Sequence, residues 1–140
     1  MTIKLTGATT AIAPGTEIPY NYVAEEDIDE KEVVAKSETT RRILKAQATT
    51  WDRMPAFGVA RESKKAGKTI EVLQFGVIEN ISRVADFNYD DKIFVSTTAG
   101  KATATPPEGA GKIVQSLGRA LNASDLILEI DQTVLELEED

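Results

Sequence analysis

The sequence contains no cysteine and no histidine. The first absence excludes disulfides, thiolate chemistry and Cys/His zinc sites; the second removes every nucleophilic mechanism that uses imidazole as its base. A Ser–Lys or carboxylate mechanism is left open, but no Ser, Lys or Asp set has the spacing of a dyad. The chain is therefore expected to carry no catalytic residues and no enzymatic activity. Basic residues are also scarce, 16 against 23 acidic ones, for a net charge of −7. That sign offers no general attraction to a phosphate backbone or an anionic bilayer, so neither nucleic acid nor membrane is expected as a partner. No apolar run approaches the roughly 18 residues needed to cross a bilayer. Met1-Thr2-Ile3-Lys4-Leu5-Thr6 lacks the apolar centre of a signal peptide, and folding in a cytosol is expected. What is present is ordinary for a folded protein: 41% apolar and 28% charged residues in a chain of 140, enough for one domain with a modest core.

The most informative feature present is repetition. Asp29-Glu30-Lys31-Glu32-Val33-Val34-Ala35 aligns with Asp90-Asp91-Lys92-Ile93-Phe94-Val95-Ser96. Phe57-Gly58-Val59-Ala60 aligns with Leu117-Gly118-Arg119-Ala120, and Thr69-Ile70-Glu71-Val72-Leu73 with Leu126-Ile127-Leu128-Glu129-Ile130. Repeated strand units bury an apolar face against each other, which predicts a pseudo-symmetric β scaffold.

Along the chain, residues 1–18 are rich in Thr, Ala, Gly and Pro and sustain no apolar period, so they read as an extended arm. Residues 19–131 read as the β domain, and 132–140 as an acidic tail. Pro19 to Ala24 alternates as a strand, and Val33-Val34 marks the next. Arg41 to Ala48 is assigned to a strand because its repeat partner, Lys101 to Thr105, is strand-like. Lys64 to Lys68 is a turn, so the Gly58 and Ile70 strands are expected to form a hairpin. Leu73, Phe75, Val77 and Ile81 alternate with polar residues, Ile78 adds a second apolar side, and Gly76 marks a bulge or a close backbone approach. Ala99-Gly100 is a hairpin turn and Thr105 to Gly111 an exposed loop. Roughly ten short strands at this spacing predict an all-β fold, a small β-barrel or sandwich.

Three local motifs bear on chemistry. Ala66-Gly67-Lys68-Thr69 resembles the end of a phosphate loop, but Glu62 stands where its first glycine belongs and a strand follows instead of a helix. Asp86-Phe87-Asn88-Tyr89-Asp90-Asp91 opens like a calcium loop, but Asp91 replaces the required Gly and Thr97 the bidentate Glu. An acidic turn is the expected reading, and no metal or cofactor is expected. Trp51, Met54 and Phe57 form an apolar group near a loop; core filling is the ordinary role for such a group, and an exposed Trp51 and Met54 beside Arg53 would suit an interface.

The order Tyr22-Val23-Ala24, Glu32-Val33-Val34, Pro55 to Ala60, Thr69 to Val72, Gly76-Val77-Ile78 and Phe94 to Gly100 resembles small β modules of tailed-bacteriophage virions. Ile113 to Leu121 followed by Ile127 to Asp131 extends the resemblance, which spans residues 20–131. Arg119 departs from it, because an apolar residue is expected there. Such modules include capsid decoration (cement) proteins and domains of tail fibres and spikes. The resemblance implies a non-enzymatic structural protein on the capsid surface, present in the host cytoplasm before assembly, with the major capsid protein as partner and a homotrimer as its state. A tail-fibre or tail-spike component binding host glycans is the alternative. A calcium-dependent carbohydrate module using Asp86, Asn88 and Asp90 is a third reading. Ile3, Leu5, Ile12 and Pro14 of the arm, with Trp51, Arg53 and Met54, are the residues expected at a capsid or subunit interface.

Overall fold

The computed structural model describes residues 22–138, and the arm residues Ile3, Leu5, Ile12 and Pro14 lie outside them. The fold is all-β, built from short antiparallel strands, as the turn spacing predicts. Strands β1 (Tyr22–Val23), β2 (Val33–Lys36), β3 (Ile43–Lys45), β4 (Ala56–Ala60), β5 (Thr69–Ile70) and β6 (Val72–Leu73) belong to the first half. Strands β7 (Phe75–Ile78), β8 (Lys92–Val95), β9 (Ala102–Thr103), β10 (Ile113–Val114), β11 (Ser116–Ala120), β12 (Leu126–Glu129) and β13 (Leu135–Glu136) follow. They form a four-stranded sheet ordered β3-β2-β4-β6, a five-stranded sheet ordered β7-β12-β11-β8-β9, and the two-stranded pairs β1-β5 and β10-β13.

The repeat seen in the sequence is present in the hydrogen bonding. Order β3-β2-β4-β6 in one sheet is matched by β9-β8-β11-β12 in the other. Both sheets carry the same bulge. Val34 faces Gly58 and Ala35 faces Ala56, skipping Phe57; Ile93 faces Gly118 and Phe94 faces Ser116, skipping Leu117. The approach to each is also shared. Lys31 and Asp90 both adopt left-handed φ, 71° and 69°. Their N–H groups donate to Ala60 O and Ala120 O, both at 2.8 Å.

These bonds correct the first alignment by two residues: Val34 is the counterpart of Ile93, not of Val95. A slip of two leaves the in–out alternation of a strand unchanged, so hydrophobicity could not reveal it. In both copies the glycine is there for space. A Cβ on Gly58 would run into Val72 and the Leu73 carbonyl, and one on Gly118 into the Ile127 carbonyl.

The two sheets do not meet as mirror images. Val33, Ala35, Val59 and Leu73 of the first sheet face Ile93, Val95, Ala120, Leu126 and Leu128 of the second across one core. The opposite face of the first sheet, with Val34, Ile43 and Ala60, is covered by Ala24, Ile28 and Ile70 in a second cluster. Since Val34 corresponds to Ile93 and Ala60 to Ala120, unlike faces are in contact. The copies are stacked in the same sense, like two plates in a pile, each fully buried Ile or Leu contributing about 2 kcal/mol. The chain from β6 to β7 carries one strand from the first sheet into the second. On the other flank, Ala48 N–H donates to Ser96 O at 3.0 Å and Ile113 N–H to Ala48 O at 2.8 Å.

Several strand expectations change in detail. The Gly58 strand pairs with Val72–Leu73, whereas Ile70 turns away to pair with Tyr22. Gly76 has φ of 105° and, among the described residues, no atom within 4 Å of its Cβ position, so its role there is conformational and not a close approach. The expected acidic tail contains β13, whose Leu135 and Glu136 pair with Val114 and Ile113.

Candidate functional site

The Trp51–Arg53 segment is a single 3-10 turn, capped where the Thr50 hydroxyl accepts the Asp52 N–H at 3.2 Å. The turn points its three candidate interface residues in three directions. Met54 goes inward and is buried in the main core. Arg53 reaches back along the surface: its guanidinium donates to Glu26 Oε2 at 2.6 Å and Oε1 at 3.3 Å, and to Lys45 O at 3.1 Å. Trp51 remains 48% exposed, and its indole N–H donates to Glu136 Oε1 at 2.7 Å. Trp51 and Arg53 therefore sit at the surface, while Met54 fills the core. Trp51 also ties the 3-10 turn to β13, a contact between positions 85 residues apart that has no signature in sequence.

Electrostatics in this region come from local partners. Burial works to raise the Glu26 carboxyl, but the Arg53 hydrogen bond, the Lys45 N–H and the Arg53 charge outweigh it and hold it below the usual range. Arg53 is correspondingly raised by the Glu26 bond. In the Gly67 turn, the Ala66 N–H donates to Asp27 Oδ1 at 2.9 Å and lowers Asp27, with Lys65 adding to the effect. A carboxylate of the chain itself thus occupies the N–H that the phosphate-loop resemblance would have offered to a ligand.

The calcium-like segment is a capped turn. Asn88 N–H donates to Asp91 Oδ2 at 2.9 Å, as Asp29 N–H donates to Glu32 Oε1 at 2.9 Å in the first copy. Asp86 Oδ1 accepts from the Ser82 hydroxyl at 2.7 Å. Among the described residues no group of three or more His, Cys, Asp or Glu is placed to hold a metal ion.

A second exposed apolar group was not singled out from the sequence. Phe75 is 75% exposed, Val77 56% and Ile127 36%, all on the outward face of the five-stranded sheet. Val77 pairs with Ile127, Ile127 with Arg119, and Arg119 with Lys92, so these four form one row across the sheet. Phe75 and Glu129 pair in the next row. The alternation of Leu73, Phe75 and Val77 was the available signal, but it does not say which way the face points. Leu73 is packed against the core in the first sheet, and after the crossing at Gln74 the same side of the strand points to solvent. Arg119, out of place in the resemblance, stands on this face as the counterpart of buried Val59.

The chain matches no known family profile, and no curated protein matches it significantly in sequence.

Proposed function

We propose that this chain is a bacteriophage capsid decoration protein that binds the outside of the head and stabilises contacts between capsomers. The observation that carries the reading is the ordered resemblance over residues 20–131. Within the described residues its pieces coincide with β1, β2, β4, β5 to β6, β7, β8 with its turn, β10 to β11, and β12. The physical demands of the role fit the chain. A cement protein must withstand internal DNA pressure, and a body of two stacked sheets joined along both flanks resists shear. It must also stay dispersed before assembly, which a net charge of −7 favours. No catalytic constellation enters the reading, and the role needs none.

A protein that binds the assembled shell and not its unfolded subunits stabilises that shell by mass action. The test is a phage lacking this chain, scored for head stability and for adsorption to its host. Decoration predicts heads that release DNA at lower temperature, with adsorption unchanged. Normal heads with lost adsorption would overturn it in favour of a tail-fibre or spike component.

A further inference from the structure

The outward face of the five-stranded sheet has an internal precedent. In the first copy, the row Val33–Val59–Leu73 is the counterpart of Lys92–Arg119–Ile127, and it is buried under the second copy's sheet. In the second copy, among the described residues, no further sheet lies upon the same face, and Phe75, Val77 and Ile127 are exposed. Two of the three counterpart positions have become cations. That change keeps the face soluble while leaving its β7–β12 end apolar, and Arg with aromatic residues is the composition enriched at interfaces.

We propose that this face is an interaction surface between two copies of this chain, each presenting the same face to the other. Its two ends are chemically different: Phe75, Val77 and Glu129 lie at the β7–β12 end, and Arg119 and Lys92 at the β11–β8 end. Turning one sheet over about an axis parallel to its strands lays the cationic end of each copy over the aromatic and acidic end of the other. Lys92 and Arg119 then meet Glu129 and the Phe75 ring, while Ile127 of each copy packs near the axis. A single self-complementary patch closes such a contact without leaving a further face exposed. The contact joins copies in pairs and is separate from the head-decoration reading, because it needs no capsid.

Sedimentation equilibrium of the full chain over a range of concentrations tests it. A monomer–dimer equilibrium is expected, with the dissociation constant raised at least about tenfold by Phe75→Lys or Ile127→Asp. Both positions are exposed in the monomer, so the thermal transition, measured in parallel, should remain that of a folded protein. Glu129→Lys and Arg119→Glu should each weaken the dimer. Both an equimolar mixture of the two and the double variant should recover it, because each restores a cation opposite an anion at both ends of the contact. Recovery by the double variant alone would mean that the pair lies within one copy and would overturn the proposal. A strict monomer would overturn the proposal. So would a dimer or trimer indifferent to these substitutions. If the monomer instead binds empty shells and Phe75→Lys abolishes that capture, the face belongs to the capsid contact. If deletion of residues 2–18 is what exposes Phe75 to solvent probes, the arm is the occupant.

Discussion

The side chain of Gln115 pairs with the backbone of Ala56 as a strand would: its Oε1 accepts the Ala56 N–H at 2.8 Å and its Nε2 donates to the Ala56 carbonyl at 3.1 Å. The same Nε2 also donates to Asp131 O at 3.1 Å. Gln115 is 2% exposed, so one buried amide joins β4 of the first copy to the segments flanking β11 and β12 of the second. It extends the ladder from Ala56, the first residue of β4, which faces Ala35 of β2 beyond the bulge.

Gln115→Leu keeps the volume but leaves the Ala56 N–H and two carbonyls without this partner. Each unsatisfied buried group costs about 1–3 kcal/mol, so a loss of about 3 kcal/mol is expected. Urea denaturation should show the lower midpoint with an unchanged slope. A loss below about 1 kcal/mol would mean that water replaces the amide.

Gly118→Ala forces a methyl onto the Ile127 carbonyl at a residue whose φ is 139°, and Gly58→Ala forces one onto Val72 and the Leu73 carbonyl. Each should cost more than about 3 kcal/mol or prevent folding, by the overpacking and strain that produce the largest mutational losses. Gly67→Ala and Gly111→Ala, also at positive φ but in open space, should cost only about 1 kcal/mol. Thermal melts of the four variants test the contrast, and equal losses would refute the packing account.

The Glu26–Arg53 pair makes stability depend on acid. Glu26 is lowered from 4.5 in the folded protein, so its contribution is fully present above that value and is lost as pH falls through the lowered folded value. Asp125, held down by the Asn80 N–H and then by Asn122, and Asp27, held down by Ala66, add the same sign below 3.8. Melting temperature should therefore be flat from pH 7 to about 5 and fall below 4.5. In Glu26→Gln the fall should be shallower, and the neutral-pH stability lower by about 1 kcal/mol, since the pair is partly exposed. An unchanged acid limb would sink this assignment.

Trp51 is the only tryptophan, which makes its bond to Glu136 directly observable. Deleting residues 135–140 removes β13 and the carboxylate while keeping Val134 on the core, and the indole emission should shift to the red. A loss of about 1 kcal/mol is expected from one exposed hydrogen bond and a two-residue strand pair. An emission maximum identical to that of the full chain would show that the indole does not sense β13.

Composition, alternation and turn chemistry were sufficient to determine an all-β chain with an internal repeat. They also placed the Gly58 and Gly118 strands and the Ala99-Gly100 hairpin. These properties are local: they depend on neighbours a few residues apart, and each copy repeats them. Register was not local. A two-residue slip preserves every in–out preference, so only the cross-strand bonds of Lys31 with Ala60 and Asp90 with Ala120 fixed Val34 opposite Gly58 and Ile93 opposite Gly118. Nor could alternation decide which face of a strand is inside. Leu73 and Phe75 lie on one side of one continuous stretch, yet Leu73 packs on the core while Phe75 is in water. The stacking of unlike faces makes that choice, because among the described residues it covers this side of the first sheet and leaves that of the second exposed. The candidate interface divides in the same way. The sequence put Trp51, Arg53 and Met54 together in one turn, and the fold separated them, since three consecutive directions around a 3-10 turn meet a core, a carboxylate and solvent.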